Sequence, residues 1–399
     1  MRSVELHEDS RTPLHRDDSA VPRPAGYLAL LDVFRVVACV SVVGQHSFLW
    51  TGMTGNVAGT AFVTLLHFTR DAFFFLSALV ICYAQITRPR SLWGFWRRRY
   101  IQIGVPYLAW TTIYVVFTVL RPGGSWHHIA SLFGSDLVSG YYQLYVIVVL
   151  FQLYLIFPLL FTLLRATRHH VLIMTISLAF AVFLGINLHF SPHLGPITDA
   201  TRWVGSIWPW SRNLVSYQEF FVAGALVAFH LEEVLAFVQR RHRRIVEASA
   251  AVGATALIWY LVSIWLGAST GEASDIYQPI AVVWSIAAIA GLLAASWSWQ
   301  SKSIGGAPGR AVRRCVPSVS YLAGLTGGVY FCHVLFINLV RATLESLGVY
   351  GQLPWPVTVI ILYTGTLALS VPFVVLVRHT PLRWVLGGPV RGGVPCHSG

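Results

Sequence analysis

Lysine is almost missing from this chain, with Lys302 set against 27 arginines and only 16 acidic residues in 399. Charged residues amount to 11%, where a water-soluble domain carries about 25%, so a soluble fold is excluded at the outset. Cysteine is equally sparse. Of the five, Cys39, Cys82 and Cys332 fall inside apolar runs, and Cys315 and Cys396 lie in basic flanks, which reads as free thiols and not as a disulfide framework. No metal signature is present, since His127–His128 and His169–His170 are adjacent pairs that cannot share one helical face. The chain also lacks a nucleophile elbow, a P-loop and a dinucleotide fingerprint in a fitting context. Hydrolase, nucleotide-hydrolysing and nicotinamide chemistry of the familiar kinds therefore have no foothold.

What is abundant is apolar. Hydrophobic residues make up 55% of the chain and the mean hydropathy is +0.63, which points to an all-α polytopic membrane protein. Ten spans are expected, at about 27–50, 65–87, 101–120, 142–164, 170–188, 214–236, 246–267, 278–299, 318–341 and 355–377. Taking the N-terminus as inside, all but six of the 28 basic residues fall in segments on the same side. The six are Arg35, Arg70, Arg121, Arg202, Arg212 and Arg341. That alternation predicts an N-in, C-in topology, and it assigns the net charge of +12 to loops facing anionic lipid, with no nucleic-acid partner. Residues 1–26 are polar, carry both charge signs and contain Pro13, Pro22 and Pro24, which predicts a disordered cytoplasmic tail and no signal peptide. The transmembrane domain is expected over 27–386, followed by a cytoplasmic tail at 387–399. In the longest outer connection, roughly 189–213, Trp203, Trp208 and Trp210 read as interfacial anchors.

Inside the first span, Arg35 and His46 stand with ten residues between them, and Asp32 lies one turn before the arginine. Ionisable groups at membrane depth are costly, so they are functional candidates by default. Eleven helical steps make three turns and roughly 20°, with a rise of about 16 Å. Arg35 and His46 therefore project from one face at two depths and can line one path. The plainer reading of such a histidine is an interhelical hydrogen bond, and of Arg35 an ion pair with Asp32.

The stretch LDVFRVVACVSVVGQH resembles the first helix of acyltransferase family 3, integral-membrane O-acyltransferases marked by an arginine and a histidine at this spacing. Further elements follow in the family's order. RDAFFFLSALV resembles its FFxLSG element, with Phe74, Phe75, Leu76, Ser77, and Ala78 in the glycine's place. FWRRRYIQIGVPYLAW is similar to the basic stretch before the third helix and its proline, Pro106; of two arginines three apart, Arg99 is kept and Gln102 replaces the second. Tyr141 to Leu160 is similar to the aromatic fourth helix that ends near Pro158, YQEFFVAGALVAF to a later helix with Phe221 and Gly224, and GGVYFCHVLF to a late Tyr-x-x-His element, Tyr330 and His333. The resemblance covers roughly 28–386. It implies transfer of an acyl group from acyl-CoA, with no bound cofactor, to a hydroxyl of a carbohydrate or glycoside acceptor, as in O-acetylation of the cell envelope, at a bacterial plasma membrane.

Acyl transfer from a thioester to an alcohol needs a base near the hydroxyl, and an imidazole suits that role, so His46 is the catalytic candidate. The donor is anionic, and arginines at the inner mouth match it; Arg35 and Arg97–Arg99 are placed to meet its diphosphate. For Arg97–Arg99, positive-inside anchoring is the plainer reading. Direct transfer is favoured, with an acyl-histidine relay as the variant the resemblance also allows. Substrate-binding candidates beside Arg35 and Arg99 are Ser77, Glu219, Tyr330 and His333. Asp71 beside Arg70 reads as a local ion pair at the outer surface, and Ser77 can bond back to its own helix. Two other classes compete: a transporter or flippase for a glycan or lipid-linked precursor, and a non-catalytic subunit of a polysaccharide export complex.

The topology is open to a direct test in a chain freed of its native cysteines. Ser125→Cys and Ser269→Cys should react with an impermeant thiol reagent in intact cells, and Ser303→Cys should not. Labelling of Ser303→Cys equal to that of Ser125→Cys overturns the orientation.

Overall fold

In hydrocarbon, a backbone N–H or C=O without an internal partner costs several kcal/mol, so apolar runs of this length resolve into helices. The computed structural model describes residues 25–52, 55–121, 124, 126–190, 209–304 and 310–387, and within them there are helices and turns but no strand. Expectations for 1–24, for Trp203 and Trp208 in the connection 191–208, and for 388–399 fall outside the described residues. The main helices are α1 (Ala25–Leu49), α2 (Val57–Leu66), α3 (Phe68–Thr87), α4 (Leu92–Leu120), α5 (Ile129–Ser139), α6 (Tyr145–Ala166), α7 (His170–Phe190), α8 (Gln218–Phe229), α9 (Leu231–Trp265), α10 (Pro279–Ile304), α11 (Arg310–Ser346) and α12 (Trp355–Arg378). Large apolar side chains lie bare on the outside, among them Val171 at 82% and Trp265 at 83% exposure, where the surrounding solvent is lipid.

Nine helical stretches among the described residues are long and apolar enough to cross a membrane, with α2–α3 and α5–α6 each forming one stretch. The expected sixth span, 214–236, is the exception to a count of ten long ones. Its apolar helix stops at Phe229, because His230 leaves the helical region at φ −112° and ψ 29°. Glu232 and Glu233 then open α9, where the positive end of the helix dipole favours carboxylates. The stretch Leu214–Phe229 is thus roughly 24 Å long, short of a hydrocarbon core of about 30 Å. Its successor differs too: the expected basic loop before 246 is helical, and Arg240, Arg241, Arg243 and Arg244 ride within continuous α9. Ser91 starts α4 nine residues before the expected 101, its hydroxyl accepting from the Gly94 N–H at 3.2 Å. On the connection after α9, Ser269 and Glu272 form a reciprocal capping box, and the Ser269 N–H and hydroxyl hold the Glu272 carboxyl below the usual carboxylate range.

Helix α1 runs through the middle of the bundle, packed on α3, α10, α11 and α12. After α12 the chain turns back as a 3-10 segment, Pro381–Leu386, against α4 and α11. Leu386 is buried there and the Trp110 indole N–H donates to the Val385 carbonyl at 2.8 Å. Close helix contact rests on small residues, since apolar burial alone does not drive association in lipid. One close contact of this kind is between α3 and α8, where Gly224 lies directly on the Phe75 carbonyl.

Gly224→Val should drive α8 off α3, at a cost of about 1–3 kcal/mol or more, read as a lower Tm and a poorer yield of monodisperse protein in detergent. Gly134→Ala faces open space in α5 and should leave the Tm unchanged or slightly higher. Equal Tm values for Gly224→Val and the wild type would show that this contact does not limit packing.

Candidate active site

Few residues in these helices are polar, and several of them meet in one place. A cavity of about 360 Å³ lies between α1, α3, α4, α6, α11 and the segment after α12. Arg35, His46, Ser77, Arg99, Tyr330 and His333, six of the seven site residues anticipated from sequence, line it. Glu219 does not. It lies 2% exposed in a separate cleft with Asp71, Tyr217 and Tyr277, and Arg70 is shared between the two walls. Its Oε2 is buried without a hydrogen-bond partner among the described residues.

Arg35 and Arg99 mark one end of the cavity. Arg35 keeps the ion pair with Asp32 at 3.5 Å, yet remains on the cavity wall, so the structural and the lining readings hold together. Of Arg97–Arg99, only Arg99 turns inward; Arg97 and Arg98 are exposed. The Arg99 Nη1 donates to Gln102 Oε1 at 3.3 Å, so Gln102, one turn on, helps to orient Arg99. Between the two ends the wall is apolar, formed by residues such as Ala38, Cys39, Val42, Phe73, Leu76 and Val80.

The other end is built around two histidines. His333 Nδ1 lies 2.7 Å from the Tyr330 carbonyl and 3.1 Å from that of Val329. Carbonyls only accept, so Nδ1 carries the hydrogen and Nε2 of the neutral ring has the lone pair. That lone pair faces His46 Nδ1 at 2.8 Å, and the rings lie 5.0 Å apart and nearly parallel, at 13°. His46 Nδ1 must therefore donate, and its own lone pair is left on Nε2. His333 is fully buried, so its α11 carbonyls dictate the protonation pattern of a side chain on α1. The sequence marked His333 as a residue near substrate; the structure makes it the partner of His46. Tyr330 is chiefly a packing residue, its hydroxyl donating to the Gln143 carbonyl at 2.6 Å and its ring stacked on Phe73. Ser77 lines the cavity, and its hydroxyl is hydrogen-bonded to the Tyr154 side chain, which lines the same wall.

Several neighbours at this end were not singled out from sequence. Gln45, next to His46, donates from Nε2 to His67 Nδ1 at 3.3 Å and accepts from the Thr69 hydroxyl at 3.2 Å. Arg70 follows Thr69 on the same wall. The expected ion pair with Asp71 is present at 3.0 Å, but it is buried within the bundle and not at its surface. Asp71 also accepts from Ser285 at 2.7 Å, and Arg70 lies over the Tyr217 ring at 4.6 Å. The Arg70 Nε is thereby occupied, while its two terminal nitrogens have no protein hydrogen-bond partner among the described residues. The sequence signal was an arginine within an apolar run; its adjacency to Asp71 concealed it.

The arrangement pairs an oriented imidazole with an arginine end across an apolar throat. A family model described as an acyltransferase domain matches residues 28–375. No curated protein and no solved structure gives a significant match. The match begins in the helix that holds Arg35 and His46 and ends within the last spanning helix, and the chain belongs to acyltransferase family 3 as a multi-pass membrane acyltransferase.

Proposed function

We propose that this protein moves an acyl group from acyl-CoA to a hydroxyl of a carbohydrate or glycoside, with His46 as general base and Arg35 and Arg99 meeting the donor's anionic end. The observation that carries the reading is the His46–His333 pair at 2.8 Å in the cavity that Arg35 and Arg99 also line. A transport pathway needs no base with an assigned tautomer, and a non-catalytic subunit needs no such cavity, so neither alternative uses this feature. With the N-terminus inside, the Arg35 end opens toward the cytoplasm, where acyl-CoA is made, in a bacterial plasma membrane.

In this reading the nucleotide stays at the arginine end, because a cavity of about 360 Å³ is at the small end of ligand sites and suits the acyl-pantetheine arm alone. The arm reaches through the apolar throat toward His46, a rise of about 16 Å along α1. His46 Nε2 takes the proton of the acceptor hydroxyl as that oxygen attacks the thioester carbonyl. The carbonyl carbon–sulfur bond then breaks, and the proton passes from His46 to the departing thiolate, leaving ester and free coenzyme A. His333 is the positioning residue: it accepts the His46 Nδ1–H and stabilises the charge that appears on His46 in the transition state.

Three variants separate the roles in purified protein, with acetyl-CoA as donor, a crude glycan and glycoside extract as acceptor, and product read by mass spectrometry. His46→Ala should lose two to four orders of magnitude in transfer while binding of a fluorescent acyl-CoA analogue survives. Wild-type rates in His46→Ala would return the histidine to helix packing. His333→Ala should lower kcat by roughly tenfold or more at unchanged donor affinity, and His333→Gln, whose amide oxygen can still accept, should recover part of it. Arg35→Gln should weaken donor binding, and Arg35→Lys should not fully restore it because a point charge lacks the planar fork. Unchanged affinity in folded Arg35→Gln would leave Arg35 with Asp32 alone.

A further inference from the structure

His46 is covered from the end opposite Arg35 by two aromatic residues that lie outside the cavity wall itself. Trp50 follows the last turn of α1, and Tyr142 stands between α5 and α6. The rings of Trp50 and Tyr142 meet edge-on at 4.3 Å, and Tyr142 meets the His46 ring edge-on at 5.1 Å. Tyr142 is 39% exposed, so one side chain touches both the base and the surroundings of the bundle.

The two halves of this pair are held very differently. Trp50 is pinned: its indole N–H donates to Asn338 Oδ1 at 2.9 Å, its backbone N–H donates to the His46 carbonyl at 3.0 Å, and its carbonyl accepts from the Tyr350 hydroxyl at 2.8 Å. Asn338 is fixed in turn by Arg121 and by its own bond to the Val334 carbonyl. Tyr142 has ring contacts only, and its hydroxyl has no hydrogen-bond partner among the described residues. It is also the one non-glycine residue with a positive φ among them, at +31°, two residues after Gly140 at +79°. A tyrosine is not stable by itself in that region, and such residues concentrate where a segment has a second use.

From these observations we infer that Tyr142 and Trp50 form the entrance for a ring-bearing, polyhydroxyl acceptor, with Trp50 as the fixed wall and Tyr142 as the leaf that opens on the Gly140–Tyr142 backbone. The inference rests on the acyl-transfer reading for its chemistry and deepens it by giving the acceptor its own door. Closed, Tyr142 keeps water off His46, which matters because water competes with the acceptor hydroxyl for the thioester. Open, it exposes two aromatic faces to a sugar-like ring, which has an apolar C–H face and a polar rim; aromatic side chains with a polar handle suit such a ligand. Donor and acceptor thus enter at opposite ends and meet at His46.

The gate can be tested without any catalytic assay. In a chain whose native cysteines are replaced, Thr69→Cys places a thiol on the cavity wall at the depth of Gln45. Its rate of modification by a methanethiosulfonate carrying a trimethylammonium group should rise at least about tenfold on adding Tyr142→Ala, and should hardly change with Tyr142→Phe. An equal rate in the Tyr142→Ala background overturns the gate. A second measurement follows coenzyme A release from acetyl-CoA and ester formation with the glycan and glycoside extract. Tyr142→Ala should raise acceptor-independent release at least about threefold while lowering ester formation. Tyr142→Leu should remain closed to the thiol reagent yet lose at least about tenfold in ester formation, and Tyr142→Phe should retain it. If Tyr142→Leu transfers as well as wild type, the aromatic faces do not hold the acceptor. If wild type forms no ester and releases no coenzyme A, the acyl-transfer reading falls, and the thiol measurement still decides whether Tyr142 is a gate.

Discussion

The backbone carbonyls of Val329 and Tyr330 decide the state of the catalytic candidate one helix away. They accept from His333 Nδ1, which forces the His333 lone pair onto Nε2, which forces the His46 hydrogen onto Nδ1. As long as both rings are neutral, the two hydrogens have no other arrangement. A membrane interior favours neutrality, because an imidazolium buried between apolar helices has lost its hydration. Everything else at that end of the cavity then depends on the distance between α1 and α11, which these two rings bridge at 2.8 Å.

Holding that distance is a packing problem, and in lipid it is solved with small residues and polar bridges. Gly328 of α11 leaves room for Val374 of α12, and Gly224 of α8 lies on the Phe75 backbone of α3. Polar bridges complete the frame: the Tyr114 hydroxyl donates to the Phe331 carbonyl at 2.7 Å, and the Trp284 indole donates to the Leu65 carbonyl at 3.0 Å. These contacts fix α4 against α11 and α10 against α2. Each satisfies a group that lipid would leave bare.

Much of this was legible in the sequence because membrane proteins expose the relevant signal plainly. Apolar runs gave the helices, ionisable residues within the first of them gave Arg35 and His46, and motifs shared with the family gave Ser77 and His333. What was not legible falls into two kinds. Boundaries moved where local chemistry outweighed hydropathy, as at His230, where Glu232 and Glu233 belong to the start of the next helix and not to the end of the last. Partnerships could not be read at all: His46 and His333 are 287 residues apart, and no periodicity links them. Arg70 was read from sequence only as the partner of Asp71, and that ion pair is present at 3.0 Å. In space the pair uses only the Arg70 Nε, and the other two nitrogens remain without a protein partner among the described residues. Glu219 lies in a neighbouring cleft, because depth within a span does not say which cavity a side chain reaches.

Scarcity of charge is what makes this protein readable. In a soluble domain an arginine every fifteen residues is unremarkable, whereas here each ion within a span needs a reason. The arginines that have one are distributed unevenly: Arg35 and Arg99 at one end of the cavity, Arg70 close to Thr69 and Gln45 at the other. An anionic donor and a neutral polyhydroxyl acceptor would sense that asymmetry differently. In the proposed reaction the first would be drawn to the end where Arg35 and Arg99 stand. The second gains little from a guanidinium already paired with Asp71, but gains from its free N–H groups as hydrogen-bond donors. The Arg70–Asp71 pair is electrically near neutral and directional, and a site of that kind favours hydroxyl and carbonyl oxygens over full anions. In the proposed reaction, a cavity graded in this way would favour the donor at the arginine end and the acceptor at the other, by electrostatics and hydrogen bonding alone.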